Sequence, residues 1–176
     1  MNRWKQHTLT ACALGLLAGC VQQRYEPIVN TEAHTPVQVE RWTFQPVEIK
    51  YVETQSPAWN FQQVLEQNAW KCGQEASMGY ILYRQLRGYG SSKRPDDRAQ
   101  ALADCQQYAY QRGNEAIARL KQAKVPTQAM NLSKDLYAKW SVYMAGMSIS
   151  APKGSLVANQ YEVSRRALLA EDKFTK

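Results

Sequence analysis

The segment SPAWNFQQVLEQNAWKCGQEASMGYILYRQL, residues 56–86, decides the fold of this chain of 176 residues. Its apolar and small residues recur at steps of three and four, which is the spacing of one face of an α-helix. Ser56 and Pro57 are typical of a helix start, because serine accepts a hydrogen bond from a free backbone amide and proline has no amide to leave unpaired. We therefore predict one helix from residue 57, or two helices broken near Gly73. The predicted inner face consists of Phe61, Leu65, Ala69, Cys72, Ala76, Gly79, Tyr83 and Leu86.

Further helices are predicted toward the C-terminus. The glycine-rich residues 88–92 end the first pattern, and a second helix begins at residues 95–97, whose acids complement the helix dipole. A third helix follows residues 125–126, and a fourth follows residues 152–155. The expected fold class is all-α, an antiparallel bundle of three or four helices over residues 57–176. The predicted inner faces are Ala99, Leu102, Cys105, Ala109, Ala116, Leu120 and Ala123 in the second helix, Leu132, Leu136, Trp140, Tyr143, Met144 and Met147 in the third, and Leu156, Val163, Ala167, Ala170 and Phe174 in the fourth.

The residues before this bundle, 20–56, differ in character. Prolines punctuate them, and apolar residues alternate with polar ones between residues 37 and 51, which predicts an extended tether with two or three short strands. Two interpretations of the alternating part stay open. It packs back across its own bundle, or it pairs with an edge strand of a partner. The side chains that we expect to bind in the second case are Trp42, Phe44, Ile49 and Tyr51.

The first 20 residues carry a targeting pattern. Arg3 and Lys5 precede the apolar residues 8–17, and Leu17-Ala18-Gly19-Cys20 follows. This arrangement resembles the signal peptide of bacterial lipoproteins, with residues 1–19 as the signal. The resemblance implies cleavage before Cys20, a diacylglycerol on its thiol and an acyl chain on the new amino group. Because Val21 follows in place of the aspartate associated with inner-membrane retention, the resemblance implies lipid anchoring in the outer membrane.

Processing changes the charge and cysteine counts. Loss of Arg3 and Lys5 leaves 20 basic and 15 acidic residues, a formal charge of +5. This charge suits an acidic partner or an anionic surface, and we expect no nucleic-acid partner at this location.

Two thiols, Cys72 and Cys105, remain unmodified in an oxidising compartment. We predict that they form a disulfide, which would close a loop of just over 30 residues. Two separate buried thiols are the alternative.

Catalytic groups are scarce in the mature sequence. His34 is its one histidine and lies in the tether, so neither a nucleophile–histidine site nor a metal site is expected. Asp96 and Asp97 are adjacent helical positions about 100° apart, which favours a helix start over an acid pair. Residues 88–93 lack the spacing of a phosphate-binding loop. We expect a protein without enzymatic activity and without a cofactor.

In plan, a lipidated cysteine followed by a small helical domain with one disulfide, the chain resembles some secretin pilotins. This resemblance implies a structural or accessory component of an envelope-spanning secretion, conjugation or pilus assembly, facing the periplasm and binding a protein. The alternative is a binding module for peptidoglycan or another anionic envelope glycan. Tyr80, Arg84 and Arg87 share a helical face and are the residues expected to bind such a glycan.

Overall fold

The computed structural model describes residues 41–86, 93–151 and 154–174. The predicted all-α bundle with one disulfide is confirmed, and the described residues form four helices. Successive helices run antiparallel, with the core between them. The helices are α1 (Pro57–Leu86), α2 (Lys93–Gln122), α3 (Thr127–Ala145) and α4 (Ser155–Phe174). None of the helices in the described part of the chain is both long and apolar enough to cross a bilayer.

Helix α1 begins where the sequence predicts. The amide of Trp59 donates to Ser56 Oγ at 2.9 Å, so Ser56 caps a helix whose first residue is Pro57. Of the two alternatives, a single helix is correct, because α1 continues through Gly73 to Leu86. The predicted inner face is buried at Phe61, Leu65, Ala69, Cys72, Ala76 and Gly79.

The disulfide joins α1 to α2. Cys72 and Cys105 lie with their Cα atoms 5.6 Å apart, and both side chains are buried in the core. Helix α2 begins at Lys93, two residues before the predicted start at Pro95. Ala99 and Ala123 were predicted to face inward, and both predictions are wrong because these residues are exposed at either end of the helix. The confirmed inner residues of α2 are Leu102, Cys105, Ala109, Ala116 and Leu120.

The predicted inner face of α4 is wrong at four of its five positions, and the side chain of the fifth, Phe174, lies outside the described part of the structure. Leu156, Val163, Ala167 and Ala170 face solvent. The helix instead buries Tyr161, Ser164, Leu168 and Asp172. The hydroxyl of Ser164 donates to Asp135 Oδ2 of α3 at 2.6 Å, so a polar residue sits in the buried stripe with its hydrogen bond satisfied. The apolar pattern missed this face because Ser164 and Asp172 are polar.

Residues 41–55, which we call the strap, run along the bundle without regular secondary structure, end in a turn at residues 53–55, and belong to the same compact unit as the helices. Ile49 enters the core, and Phe44, Val47 and Tyr51 pack against it. Near its end, the amide of Val52 donates to Asn60 Oδ1 at 2.8 Å, and Asn60 Nδ2 donates to the carbonyl of Val52 at 2.9 Å. The short strands predicted here are absent from the described residues, since the strap pairs with helix side chains and not with another strand.

Gly79 allows the connection between α3 and α4 to approach α1. A Cβ at this position would lie 2.3 Å from Ile149 Cγ2 and 2.9 Å from Ile149 Cβ. We expect Gly79→Ala to lower the free energy of unfolding by about 1–2 kcal/mol, because overpacking exceeds the gain in helix propensity. Chemical denaturation should measure this loss.

Two companion variants isolate the contact. In an Ile149→Ala background the 2.3 Å contact with Cγ2 is gone and only the 2.9 Å contact with Cβ remains, so Gly79→Ala should cost less than it does in the wild-type background. At Gly146 the nearest atoms are 3.5 Å or more from a built Cβ, so Gly146→Ala should change stability by less than about 0.5 kcal/mol. An equal loss for Gly79→Ala in both backgrounds would contradict the explanation.

Candidate partner-binding site

An open groove of about 620 Å³ lies between α1 and α4. Arg165 of α4 contacts Glu66 of α1 across it, with an N–O distance of 3.3 Å. Helix α1 supplies most of the wall, α4 supplies the opposite side, and α3 contributes one tyrosine. The lining residues are Glu66, Ala69, Trp70, Gly73, Gln74, Glu75, Ser77, Met78, Tyr143, Ala158, Tyr161 and Glu162.

Large apolar side chains stand exposed along the α1 side of this groove. Trp70 is 61% exposed and Met78 is 48% exposed, and both line the groove. Ile81, also 48% exposed, continues the same helix face beyond it. From Trp70 to Ile81 the stripe extends about 16 Å at 1.5 Å per residue. Large exposed apolar side chains beside a groove are typical of an interaction site.

Two stacked tyrosines form part of the groove wall. The rings of Tyr143 and Tyr161 are 7° from parallel, with centroids 5.2 Å apart. Tyr161 is 4% exposed, and its hydroxyl has no hydrogen-bond partner among the described residues. Burial raises the pKa of this hydroxyl, and the negative charges of Glu66 and Glu162 raise the same pKa further. Tyr161 therefore stays protonated and keeps an unused donor and acceptor at the groove.

Among the described residues, three carboxylates line the groove and no lysine or arginine does. Arg165 lies just outside and contacts Glu66 at 3.3 Å and Glu162 at 3.0 Å. The side chains of these two glutamates are nonetheless 40% and 41% exposed, although Glu66 Oε2 also accepts from Gln62 Nε2. Glu75 is different because it is buried and ion-paired with Arg98 at 3.6 Å.

Glu75 also connects the groove to the strap. Trp42 Nε1 donates to Glu75 Oε2 at 2.9 Å, and the guanidinium carbon of Arg98 lies 3.5 Å from the centroid of the Trp42 ring. Lys71 completes the cluster, with its ammonium 3.5 Å from Glu75 Oε1. The indole of Trp42 therefore lies between a carboxylate and a guanidinium, which holds the first part of the strap against α1 and α2.

The other strap residues that were predicted to bind a partner also contact the bundle. Phe44 packs on Tyr108 with ring centroids 5.8 Å apart, and Ile49 is buried. The guanidinium carbon of Arg119 lies over the Tyr51 ring, 4.5 Å from the ring centroid. Of the two interpretations left open by the sequence, packing on the bundle describes these residues. Binding to a partner stays a prediction, and it would require the strap to leave the bundle.

The predicted glycan-binding residues lie elsewhere on α1. The guanidinium carbon of Arg84 is 5.9 Å from the centroid of the Tyr80 ring, and Arg84 is exposed. Arg87 lies outside the described residues, as does Cys20 with its predicted lipid. A ligand on the Tyr80 and Arg84 surface stays a prediction.

Sequence reasoning missed Trp70, Met78 and Tyr161. A signal for Trp70 was present, because Ala69 and Cys72 belong to the inner stripe and the residue after Ala69 must then turn about 100° outward. No comparable signal marked Tyr161, because its own helix was assigned the wrong inner face. The groove itself depends on how α1 and α4 pack, which no local pattern encodes.

No group of three or more His, Cys, Asp or Glu residues is placed to hold a metal ion within residues 41–86, 93–151 and 154–174. The groove combines exposed apolar side chains, partly exposed carboxylates and the unpaired hydroxyl of Tyr161. No family model matches the chain, and no curated protein or solved structure does.

Proposed function

We propose that this protein is an outer-membrane lipoprotein that serves as a structural or accessory component, similar in plan to a pilotin, of an envelope-spanning secretion, conjugation or pilus assembly. In this proposal it binds a protein partner through the groove between α1 and α4. The observation that carries the proposal is the open groove of about 620 Å³ with Trp70 and Met78 exposed along its side. Tryptophan and methionine are enriched in protein interfaces, and a concave site lets a few such side chains supply most of the binding energy.

The N-terminal sequence supports the location in this proposal. Leu17-Ala18-Gly19-Cys20 resembles a lipoprotein cleavage site, and acyl chains on one residue together give durable membrane attachment. We expect Cys20→Ser to leave the membrane fraction while its folded domain stays intact, because Cys20 lies outside the described helices. Cell fractionation with circular dichroism measures both properties. Sedimentation of Cys20→Ser with outer membranes would mean that a protein contact, and not lipid, provides the attachment.

Site-specific photocrosslinking in cells tests the groove. We expect p-benzoylphenylalanine in place of Gln74, an exposed residue that lines the groove, to crosslink one subunit of an envelope assembly. The same photoreactive residue in place of Gln107, exposed on α2, is the matched control and should not crosslink that subunit. Mass spectrometry identifies the product.

The same experiment includes a variant that removes the main anchor. Trp70→Ala should abolish the crosslink from position 74 because truncation of a central tryptophan commonly weakens an interface by 2 kcal/mol or more, about 30-fold. Equal crosslinking from positions 74 and 107, or a product unaffected by Trp70→Ala, would contradict docking in the groove. Recovery of cell-wall fragments alone would instead favour the glycan-binding alternative.

A further inference from the structure

We infer that the groove takes an amphipathic helix of the protein partner, with its apolar face on Trp70 and Met78 and lysine or arginine side chains directed at Glu66 and Glu162. This inference rests on the proposed function, because it names the chemistry of the partner at the same groove. Three independent features of the described residues support it: the backbone of the groove walls, the charge of their side chains, and the hydroxyl of Tyr161.

The groove walls favour a helical occupant over an extended one. Both long walls are α-helices, whose interior amides and carbonyls already bond to one another, so an added strand would find no free backbone edge. A helix satisfies its own backbone groups and presents only side chains. The wall from Glu66 to Met78 is about 18 Å long, which matches roughly three turns of such a helix.

The side chains of the groove favour a basic occupant. The whole chain has a formal charge of +7, yet the groove lining holds three glutamates and no cation. The cations that face these glutamates from neighbouring positions are Arg165, Lys71 and Arg98, and the last two contact the buried Glu75. The side chains of Glu66 and Glu162 remain 40% and 41% exposed although both are paired with Arg165. A lysine or arginine on the flank of the bound helix would therefore find two accessible carboxylates.

Tyr161 is the third feature. Its hydroxyl is buried and unpaired between these acidic groups, and an unpaired buried hydroxyl costs about 1–3 kcal/mol. Because this oxygen is closed off from the groove, the Tyr161 ring must shift before a bound ammonium or guanidinium can donate to it. The hydroxyl would thus gain its partner when the site is occupied.

Three synthetic 18-residue peptides test the inference. All three carry the same leucine stripe at helical spacing, and their polar faces consist of lysine, glutamine or glutamate. Binding to the full-length protein, purified in a neutral non-ionic detergent, is measured by fluorescence anisotropy of the labelled peptides. We expect the lysine peptide to bind at least tenfold more tightly than the glutamine peptide and the glutamate peptide to bind most weakly. The net charge is positive with or without the predicted processing, +7 or +5, and would attract the glutamate peptide non-specifically. Non-specific attraction and docking in the groove therefore predict opposite orders of affinity.

Protein variants test whether the preference for the lysine peptide arises at the groove. The Glu66→Gln, Glu162→Gln double variant should weaken the lysine peptide about tenfold and leave the glutamine peptide unchanged. Glu115→Gln, at an exposed carboxylate on α2, is the matched control and should change neither affinity. Tyr161→Phe should weaken the lysine peptide alone.

The outcomes separate the two proposals. Two results would contradict docking in the groove, and the inference with it. One is that the peptides still bind the Trp70→Ala, Met78→Ala double variant, and the other is that no peptide binds the unaltered protein. If binding needs Trp70 and Met78 but is equal for the lysine and glutamine peptides, only the inference that the bound helix is basic is overturned. A lysine preference that survives the double glutamate variant also overturns it.

Discussion

Loss of the Cys72–Cys105 disulfide is expected to lower the free energy of unfolding by about 3–4 kcal/mol. The bond closes a loop with a sequence separation of 33 residues, so its removal returns a large amount of conformational freedom to the unfolded chain. Both cysteines are buried where α1 and α2 pack, and neither side chain contacts solvent. A loss of this size is a large fraction of the stability of an ordinary small domain.

The measurement compares the oxidised protein with the Cys72→Ala, Cys105→Ala double variant in denaturant. Alanine is preferred to serine because both positions are buried in an apolar core, where a serine hydroxyl would need a partner. Addition of reductant should destabilise the oxidised protein and leave the double variant unchanged. Alkylation of both cysteines without prior reduction, in protein taken from an oxidising compartment, would show that the bond does not form in the cell.

The helix starts could be predicted because they depend on neighbouring residues. Ser56 and Pro57 are adjacent in sequence, and capping needs only the next turn of backbone. The inner face of α1 was equally predictable from Phe61 to Gly79, because apolar and small residues recur there at helical spacing. The disulfide followed from the number of cysteines left after processing, and the antiparallel hairpin brings the two together.

The inner face of α4 was not predictable from periodicity. Leu156 and Val163 fit an apolar stripe but are 69% and 68% exposed, whereas the buried stripe includes Ser164 and Asp172. Burial of Ser164 depends on Asp135, which is 29 residues away and on another helix. A pattern that scores one helix at a time cannot count a hydrogen bond supplied by a neighbour.

The packing of the strap and the existence of the groove could not be predicted from local sequence either. Alternating apolar residues predict an extended chain, but whether it pairs with a strand or lies on helices depends on what is nearby. Its partners, among them Glu75, Tyr108 and Arg119, are 30 to about 70 residues later in the chain. The groove likewise exists only because α1 and α4 diverge enough to leave its walls exposed.

Trp140 should be the side chain whose truncation destabilises the protein most. It is fully buried, its Nε1 donates to the carbonyl of Leu65 in α1 at 2.9 Å, and its ring meets Tyr110 of α2 edge-on with centroids 5.4 Å apart. A Cβ on Gly113 of α2 would lie only 3.1 Å from the same ring, so the indole fills the space that this glycine leaves. We expect Trp140→Ala to cost about 3–5 kcal/mol because it creates a cavity where three helices meet.

Trp70→Ala is the matched control, because it makes the same chemical change at an indole that is 61% exposed. Denaturant unfolding of both variants should show a loss of several kcal/mol for Trp140→Ala and a change within about 0.5 kcal/mol for Trp70→Ala.

The photocrosslink from position 74 should be lost in Trp70→Ala even though that variant remains fully folded. If Trp70→Ala unfolded the domain as Trp140→Ala does, Trp70 would be a structural residue, and its effect on partner binding would carry no information about the groove. A stable Trp70→Ala without partner binding would separate the two tryptophans by role, because Trp140 holds three helices together and Trp70 would then be needed for the partner alone.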